Sequence, residues 1–154
     1  MAKEESKIME GMVHLPYKWS LGPVFTRFFE EFKNKRIMGN KCPKCNRVLV
    51  PARRFCPRCF EDMAEWVHVS DKGTIKTWSL ITFEFTGQVR KPPYIQGLID
   101  LDGADTALAH FIGGVDLSDL EKVKDLVKIG MRVEAKWSDD RQGNIHDIDY
   151  FKPI

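Results

Sequence analysis

Four cysteines lie within eighteen residues: Cys42-Pro43-Lys44-Cys45, ten further residues, then Cys56-Pro57-Arg58-Cys59. A Cys-x-x-Cys turn sets two thiolates on one side of an ion, and two such turns close a tetrahedral shell around Zn2+. The competing readings are a redox dithiol or a pair of disulfides. A redox motif needs only one Cys-x-x-Cys, at a strand-to-helix junction. In a reducing cytosol, clustered cysteines act as metal ligands before they act as disulfides. The expectation is one zinc per chain, held by Cys42, Cys45, Cys56 and Cys59. With all four positions filled by protein, no place is left for water or substrate, so the metal is structural. Lys44 and Arg58 each precede the second cysteine of a turn and offset the negative charge of four thiolates around a dication.

Other chemistry is sparse. His14, His68, His110 and His146 are scattered, and each reads as an ordinary surface or barrel residue. No nucleophile elbow, P-loop or His-Glu-x-x-His is present, and no cysteine outside the two turns is left to act as a nucleophile. An independent enzyme is not expected. Arg53 and Arg54 follow the short apolar run Val48-Leu49-Val50. They either clamp phosphates or form a solvated basic turn that balances the thiolates. Trp78, Phe83, Phe85, Tyr94 and Trp137 fall on expected strands or their ends, with Arg90 and Lys91 beside Tyr94. Such a set can stack bases or an adenine, line an acyl channel, or simply fill a barrel.

The elements that must position these groups can be read from the pattern. Gly22-Pro23 opens a helix whose apolar stripe is Val24, Phe25, Phe28, Phe29 and Phe32, and Gly39-Asn40 is expected to end it. The stripe either packs on the protein's own core or docks on a partner. Core packing is the commoner outcome for such a stripe, but docking carries more weight than usual here, because a helix ahead of a zinc module has little core of its own to cover. Residues 1–19 read as a loose arm. From Gly73 the order is strand, strand, strand, helix, strand, strand. The strands are 73–85, Tyr94–Leu101, Thr106–Ile112, Arg132–Trp137 and Ile145–Phe151. Alternation in the first puts Ile75, Thr77, Ser79, Ile81 and Phe83 on one face and Thr74, Lys76, Trp78, Leu80 and Thr82 on the other. Asp102-Gly103 is a hairpin signal, and Ser118-Asp119-Leu120-Glu121 matches a capping box for the short helix. Five strands with a helix between the third and fourth make an OB-fold barrel. The expected chain is therefore mainly β: an arm and amphipathic helix (1–40), a rubredoxin-like zinc ribbon (41–62) and a C-terminal five-stranded OB-fold domain (63–154).

Charge is segregated. The chain of 154 residues carries a net +2, but residues 41–60 hold six basic side chains and no acid, while residues 61–154 carry a net −6. Phosphate-backbone binding depends on cations, so the barrel's sign weighs against nucleic acid. A single-stranded nucleic-acid module remains the alternative, resting on the basic island and the barrel aromatics. No apolar run reaches the roughly 18 residues of a membrane span. The N-terminus has acids where a secretory signal would be basic and then apolar, so a cytoplasmic location is expected.

The linear order matches something more specific. A Phe-rich helix runs into Cys-Pro-Lys-Cys. Then come Pro51-Ala52-Arg53-Arg54-Phe55-Cys56-Pro57-Arg58-Cys59, Gly73-Thr74-Ile75, and Pro93-Tyr94-Ile95-Gln96-Gly97-Leu98-Ile99-Asp100-Leu101. Ile129-Gly130-Met131-Arg132-Val133-Glu134 and a terminal Tyr150-Phe151-Lys152-Pro153 complete the series. Over about residues 20–154 this resembles the archaeal and bacterial zinc-ribbon/OB-fold family called domain of unknown function thirty-five. The resemblance implies a non-catalytic accessory or scaffold subunit of thiolase-type acyl-CoA enzymes. In archaea it points to the subunit that holds an acetoacetyl-CoA thiolase and a hydroxymethylglutaryl-CoA synthase together, and a CoA thioester is an implied ligand. By this analogy Phe25, Phe28, Phe29 and Phe32 face the partner, and Arg53, Arg54, Arg90, Lys91 and Tyr94 meet CoA.

Overall fold

The computed structural model describes residues 17–154, so residues 1–16 of the expected arm lie outside the described residues. The first element among the described residues is helix α1 (Gly22–Glu30), with Pro23 in its first turn. One turn of 3-10 helix (Glu31–Asn34) continues it. Lys35, at φ 55°, ends the run in the left-handed region. Lys35 N–H donates to Phe32 O and Arg36 N–H to Glu31 O, which is the Schellman pattern. The expected stop at Gly39-Asn40 is therefore corrected: both residues lie in strand β1 (Ile37–Lys41). Gly39 is there because β2 runs close beside it. A Cβ at that position would sit 2.8 Å from Val48 Cγ1 and 2.9 Å from the Leu49 carbonyl oxygen. Asn40 is fully buried, and its side chain accepts from Arg53 N–H and donates to Met63 O.

β1 is the centre of a three-stranded antiparallel sheet, flanked by β2 (Val48–Leu49) and β3 (Glu65–Val69). β1 begins before the expected ribbon bounds of 41–62 and β3 lies after them, so the ribbon's sheet draws on residues on both sides. Arg27 of α1 lies over the Trp66 ring of β3 at 4.3 Å, tying helix to sheet.

The barrel holds β4 (Lys72–Ile81), β5 (Tyr94–Leu101), β6 (Ala107–Ile112), β7 (Arg132–Trp137) and β8 (Ile148–Pro153), closed in the order β4-β5-β6-β8-β7. This is the expected five-stranded closure, with a short helix α2 (Val123–Leu126) between β6 and β7. Three details differ from expectation. A register shift between Ile75 and Thr77 inserts a bulge in β4, so strict alternation fails there. Beyond it, Trp78 and Leu80 pack on the core, and Thr77 and Ser79 face outward. The capping box does not form. Instead Asp116 accepts from the Ser118 N–H and hydroxyl, both at 2.9 Å. Val123 and Val127 are buried, while Leu120 and Leu126 are exposed. The last strand begins at Ile148, after a 3-10 turn at Ile145–Asp147.

One core joins helix, ribbon and barrel. Phe28 and Phe32 are completely buried within it, beside Ile37, Val50, Val69, Ile75, Ile99 and Phe151. Phe32 meets Trp137 edge-to-face, with ring centroids 5.6 Å apart. The helix thus plugs the barrel. The docking role expected of Phe28 and Phe32 is corrected for that reason: buried rings offer no surface to another molecule. The ribbon is also bolted to the barrel by hydrogen bonds. Val48 N–H donates to the Asp105 carboxylate, Val50 N–H donates to Thr106 Oγ1, and the Thr106 hydroxyl donates to Val50 O, each at 2.8 Å.

Candidate metal centre and the surface beside it

The two cysteine turns have the same backbone construction. In the first, Asn46 N–H donates to Cys42 O and Cys42 N–H donates to Arg47 O, both at 2.9 Å. In the second, Phe60 N–H donates to Cys56 O at 2.8 Å and Cys56 N–H to Glu61 O at 2.9 Å. The residue after each second cysteine adopts positive φ, 59° at Asn46 and 58° at Phe60. That reversal turns both sulfurs of a knuckle toward one point. Cys45 N–H also lies 3.5 Å from Cys42 Sγ, aimed at the sulfur.

All four sulfurs lie within 4.8 Å of one another. Cys45 Sγ and Cys56 Sγ, from opposite knuckles, are 3.8 Å apart. A tetrahedron with metal–sulfur distances of about 2.3 Å has edges of about 3.8 Å, whereas a disulfide needs about 2.05 Å. The site therefore fits zinc and does not fit a disulfide between these two residues. The thiols also repel one another's ionisation. Hydrogen bonding with Cys45, burial, and the neighbouring Cys56 and Cys42 push Cys59 up to about 12. Burial raises Cys56 too, but the Arg58 and Cys59 backbone N–H groups and the other thiols outweigh it and bring it down to about 7. A divalent cation at the centre removes this conflict. Cys42 and Cys56 are fully buried, and with Leu49 and Met63 they form the ribbon's own small core. Lys44 reaches Glu61 across the two knuckles at 3.6 Å. Zinc held by four thiolates supplies folding energy to a segment with little else to bury.

Beside the second knuckle lies a cleft of about 550 Å³. Leu21, Val24, Phe25, Phe55 and Pro57 give it apolar walls, and Arg53 and Arg54 stand at it. Both guanidinium side chains are on the surface. Arg54 has only a loose approach to Asp62, at 4.0 Å. Of the expected stripe, Phe25 alone is exposed, and Phe29 is half-buried against the core. Aromatic residues that the stripe did not include are also exposed: Tyr17, Trp19, Phe55 and, most exposed in the ribbon at 79%, Phe60. Aligning the two knuckles on each other would have singled out Phe60, which stands where the first knuckle has Asn46.

The five residues expected to meet CoA are not gathered in one place. Arg53 and Arg54 belong to the cleft, whose lining includes none of Arg90, Lys91 and Tyr94. Tyr94 is buried and its hydroxyl oxygen accepts from Gln88 Nε2 at 3.0 Å. Arg90 donates to Asp149 O at 3.2 Å and lies over the Phe111 ring at 4.3 Å. Both are thus committed within the chain, and of the three, Lys91 alone is exposed. Trp137 is core and Trp78 packs half-buried against it, while Phe83 and Phe85 stand exposed beyond the end of β4. Among the described residues no helix is long and apolar enough to cross a membrane.

Residues 29–64 match the family model for the ChsH2 rubredoxin-like zinc ribbon domain, and residues 66–138 match that for the ChsH2 C-terminal OB-fold domain. A DUF35 domain-containing scaffold protein of Methanocaldococcus jannaschii is 28% identical over 123 residues, covering 77% of this chain and 82% of that protein. Two solved structures share the fold. A DUF35-family protein of unknown function from Sulfolobus solfataricus has a TM-score of 0.63 at 24% identity, covering 86% of this chain and 87% of the other. An Ltp2-ChsH2(DUF35) aldolase has a TM-score of 0.65 at 20% identity, covering 88% and 98%.

Proposed function

The chain belongs to the DUF35 zinc-ribbon/OB-fold family, and on that premise we propose that it is a non-catalytic accessory or scaffold subunit that docks on a thiolase-type acyl-CoA enzyme. The observation that carries this reading is the set of exposed phenylalanines on the helix and around the second cysteine turn. Phe25, Phe55 and Phe60 expose 37%, 50% and 79% of their surface on one helix and one metal-held turn. Large aromatic anchors next to Arg are the side chains that dominate protein interfaces. Phe60 strengthens the argument. A bulky residue in the left-handed region is strained, and here the exposed ring gains no packing in return. A partner surface supplies that packing.

The finer reading names the partners as an acetoacetyl-CoA thiolase and a hydroxymethylglutaryl-CoA synthase. The scaffold description carried by the Methanocaldococcus relative supports the general role. On this reading the Arg53 and Arg54 guanidinium groups meet the phosphates of a CoA thioester passing between partner and cleft. Arg90 and Tyr94 have no part in it, since both are already engaged. Purification of the chain from its native host at low salt is the test. A thiolase-superfamily enzyme should co-elute in stoichiometric amount and be lost from a Phe55→Ser/Phe60→Ser variant. Recovery of the chain with no such enzyme overturns the proposal.

A further inference from the structure

The barrel closes unevenly. β4 and β5 pair along their whole length, but β6 and β8 share one register pair, Ile112 with Phe151, supplemented by Gly113 N–H donating to Phe151 O at 2.9 Å. Side chains reinforce this seam. Arg90 crosses it, lying over Phe111 of β6 and donating to Asp149 O of β8. His110 of β6 bridges it from within. Its ring packs on Phe151 with centroids 5.6 Å apart, and its Nε2 lies 3.0 Å from Ile145 O. A carbonyl can only accept, so Nε2 carries the proton and Nδ1 of the neutral ring is a bare acceptor. That Nδ1 is buried and is the buried side-chain polar atom without a partner among the described residues.

We propose that the β6–β8 seam is a proton-operated latch, in which protonation of His110 opens the seam and loosens the loop of residues 82–93. A proton added at Nδ1 puts a positive charge in a buried site, on an atom that has no hydrogen-bond partner among the described residues. The Ile145 and Phe111 backbones favour the charged ring, but burial outweighs them. β5 presents Gly97 opposite His110. The charged groups that act on the ring are His146 and Arg90, and both oppose a further positive charge. The nearby Asp147 carboxylate is committed to the Gln142 and Gly143 N–H groups at 2.9 and 2.8 Å. A new cation inside the seam also repels Arg90, the side chain that pins the loop across it. That loop is built to display Phe83, Phe85 and Val89. Gln88 holds it from inside, accepting from Phe85 N–H and donating to Phe83 O and the Tyr94 hydroxyl. Opening the seam therefore changes how firmly an apolar surface is presented.

Burial sets the His110 pKa below its ordinary 6.5 in the folded protein; the Ile145 and Phe111 backbones partly offset it, and the smaller effects of His146 and Arg90 add to it. The folded state thus prefers the neutral ring. The seam is fully closed above about pH 6.5, and it weakens as pH falls from there toward the lower, folded-state value.

The test is amide hydrogen exchange on the zinc-loaded protein from about pH 7.5 to about pH 5, corrected for intrinsic rates. Zinc content is measured at each pH. Protection at Gly113 and along β8 should fall about tenfold or more while β4–β5 protection holds. In His110→Gln, whose amide can still donate to Ile145 O, the decline should vanish. An NMR titration of the His110 ring in the unaltered chain should place its midpoint at the low-pH end of the loss of protection. Three results each overturn the latch: equal loss in β4–β5, a decline that follows zinc release, or a ring that titrates at or above the pH where the loss begins. The ring titration serves if the Gln variant does not fold.

Discussion

Asn46 and Phe60 occupy equivalent places in two turns of the same construction, and both adopt positive φ. Asn tolerates that region and Phe does not. Replacing Phe60 with Asn should therefore stabilise the isolated chain by about 1 kcal/mol. The same change should weaken capture of the partner enzyme. Thermal unfolding and co-purification read the two effects separately, and loss of both stability and binding would count against a docking role for this ring. At the metal, Cys45→Ser should reduce bound zinc from one per chain to none and expose the ribbon to protease. The barrel strands should persist, read by circular dichroism. All four ligands were legible in the sequence because ligand spacing is local chemistry. Phe60 was not, because its exposure depends on a turn conformation that no residue-type rule assigns to Phe.

At the scale of elements, α1 and the 3-10 turn that continues it combine two roles. Phe28 and Phe32 are completely buried, whereas Phe25 is exposed at the cleft. Phe32→Ala should cost about 3–5 kcal/mol, the range for emptying a buried aromatic site. Phe25→Ala should change stability by less than about 0.5 kcal/mol. Urea denaturation checks both, and equal costs would mean that the helix does not divide its stripe this way. Gly39→Ala should destabilise by about 1–3 kcal/mol, because the new Cβ meets Val48 and the Leu49 carbonyl and neither can move freely. The periodicity of the helix was readable, and its end was not. The left-handed stop fell on Lys35, while Gly39-Asn40 had a second explanation, a close strand crossing with a buried amide linking three segments. The bulge in β4 was equally hidden. Alternation predicts strand faces only where register is unbroken, and Trp78 and Leu80 turn inward because the bulge shifts the count by one.

For the whole molecule, the basic ribbon and acidic barrel are distinct in sequence but mechanically joined. Thr106 makes both bonds to Val50. Thr106→Val leaves the Val50 N–H and C=O without that partner and should cost about 1–3 kcal/mol. Limited proteolysis should then cut between ribbon and barrel sooner than in the unaltered protein. The sequence by itself determined the zinc ligands, the order of the strands, the barrel closure they imply and the segregation of charge. All of these follow from local spacing, periodicity and composition. Only the tertiary structure decided which phenylalanines are core and which are surface, that Arg90 and Tyr94 are spent within the chain, and that Arg53 and Arg54 flank an apolar cleft instead. It also decided that His110 sits in the weakest seam of the barrel. Those outcomes depend on which segments distant in the chain come to lie together, and a pattern along one strand or helix carries no record of what packs against it.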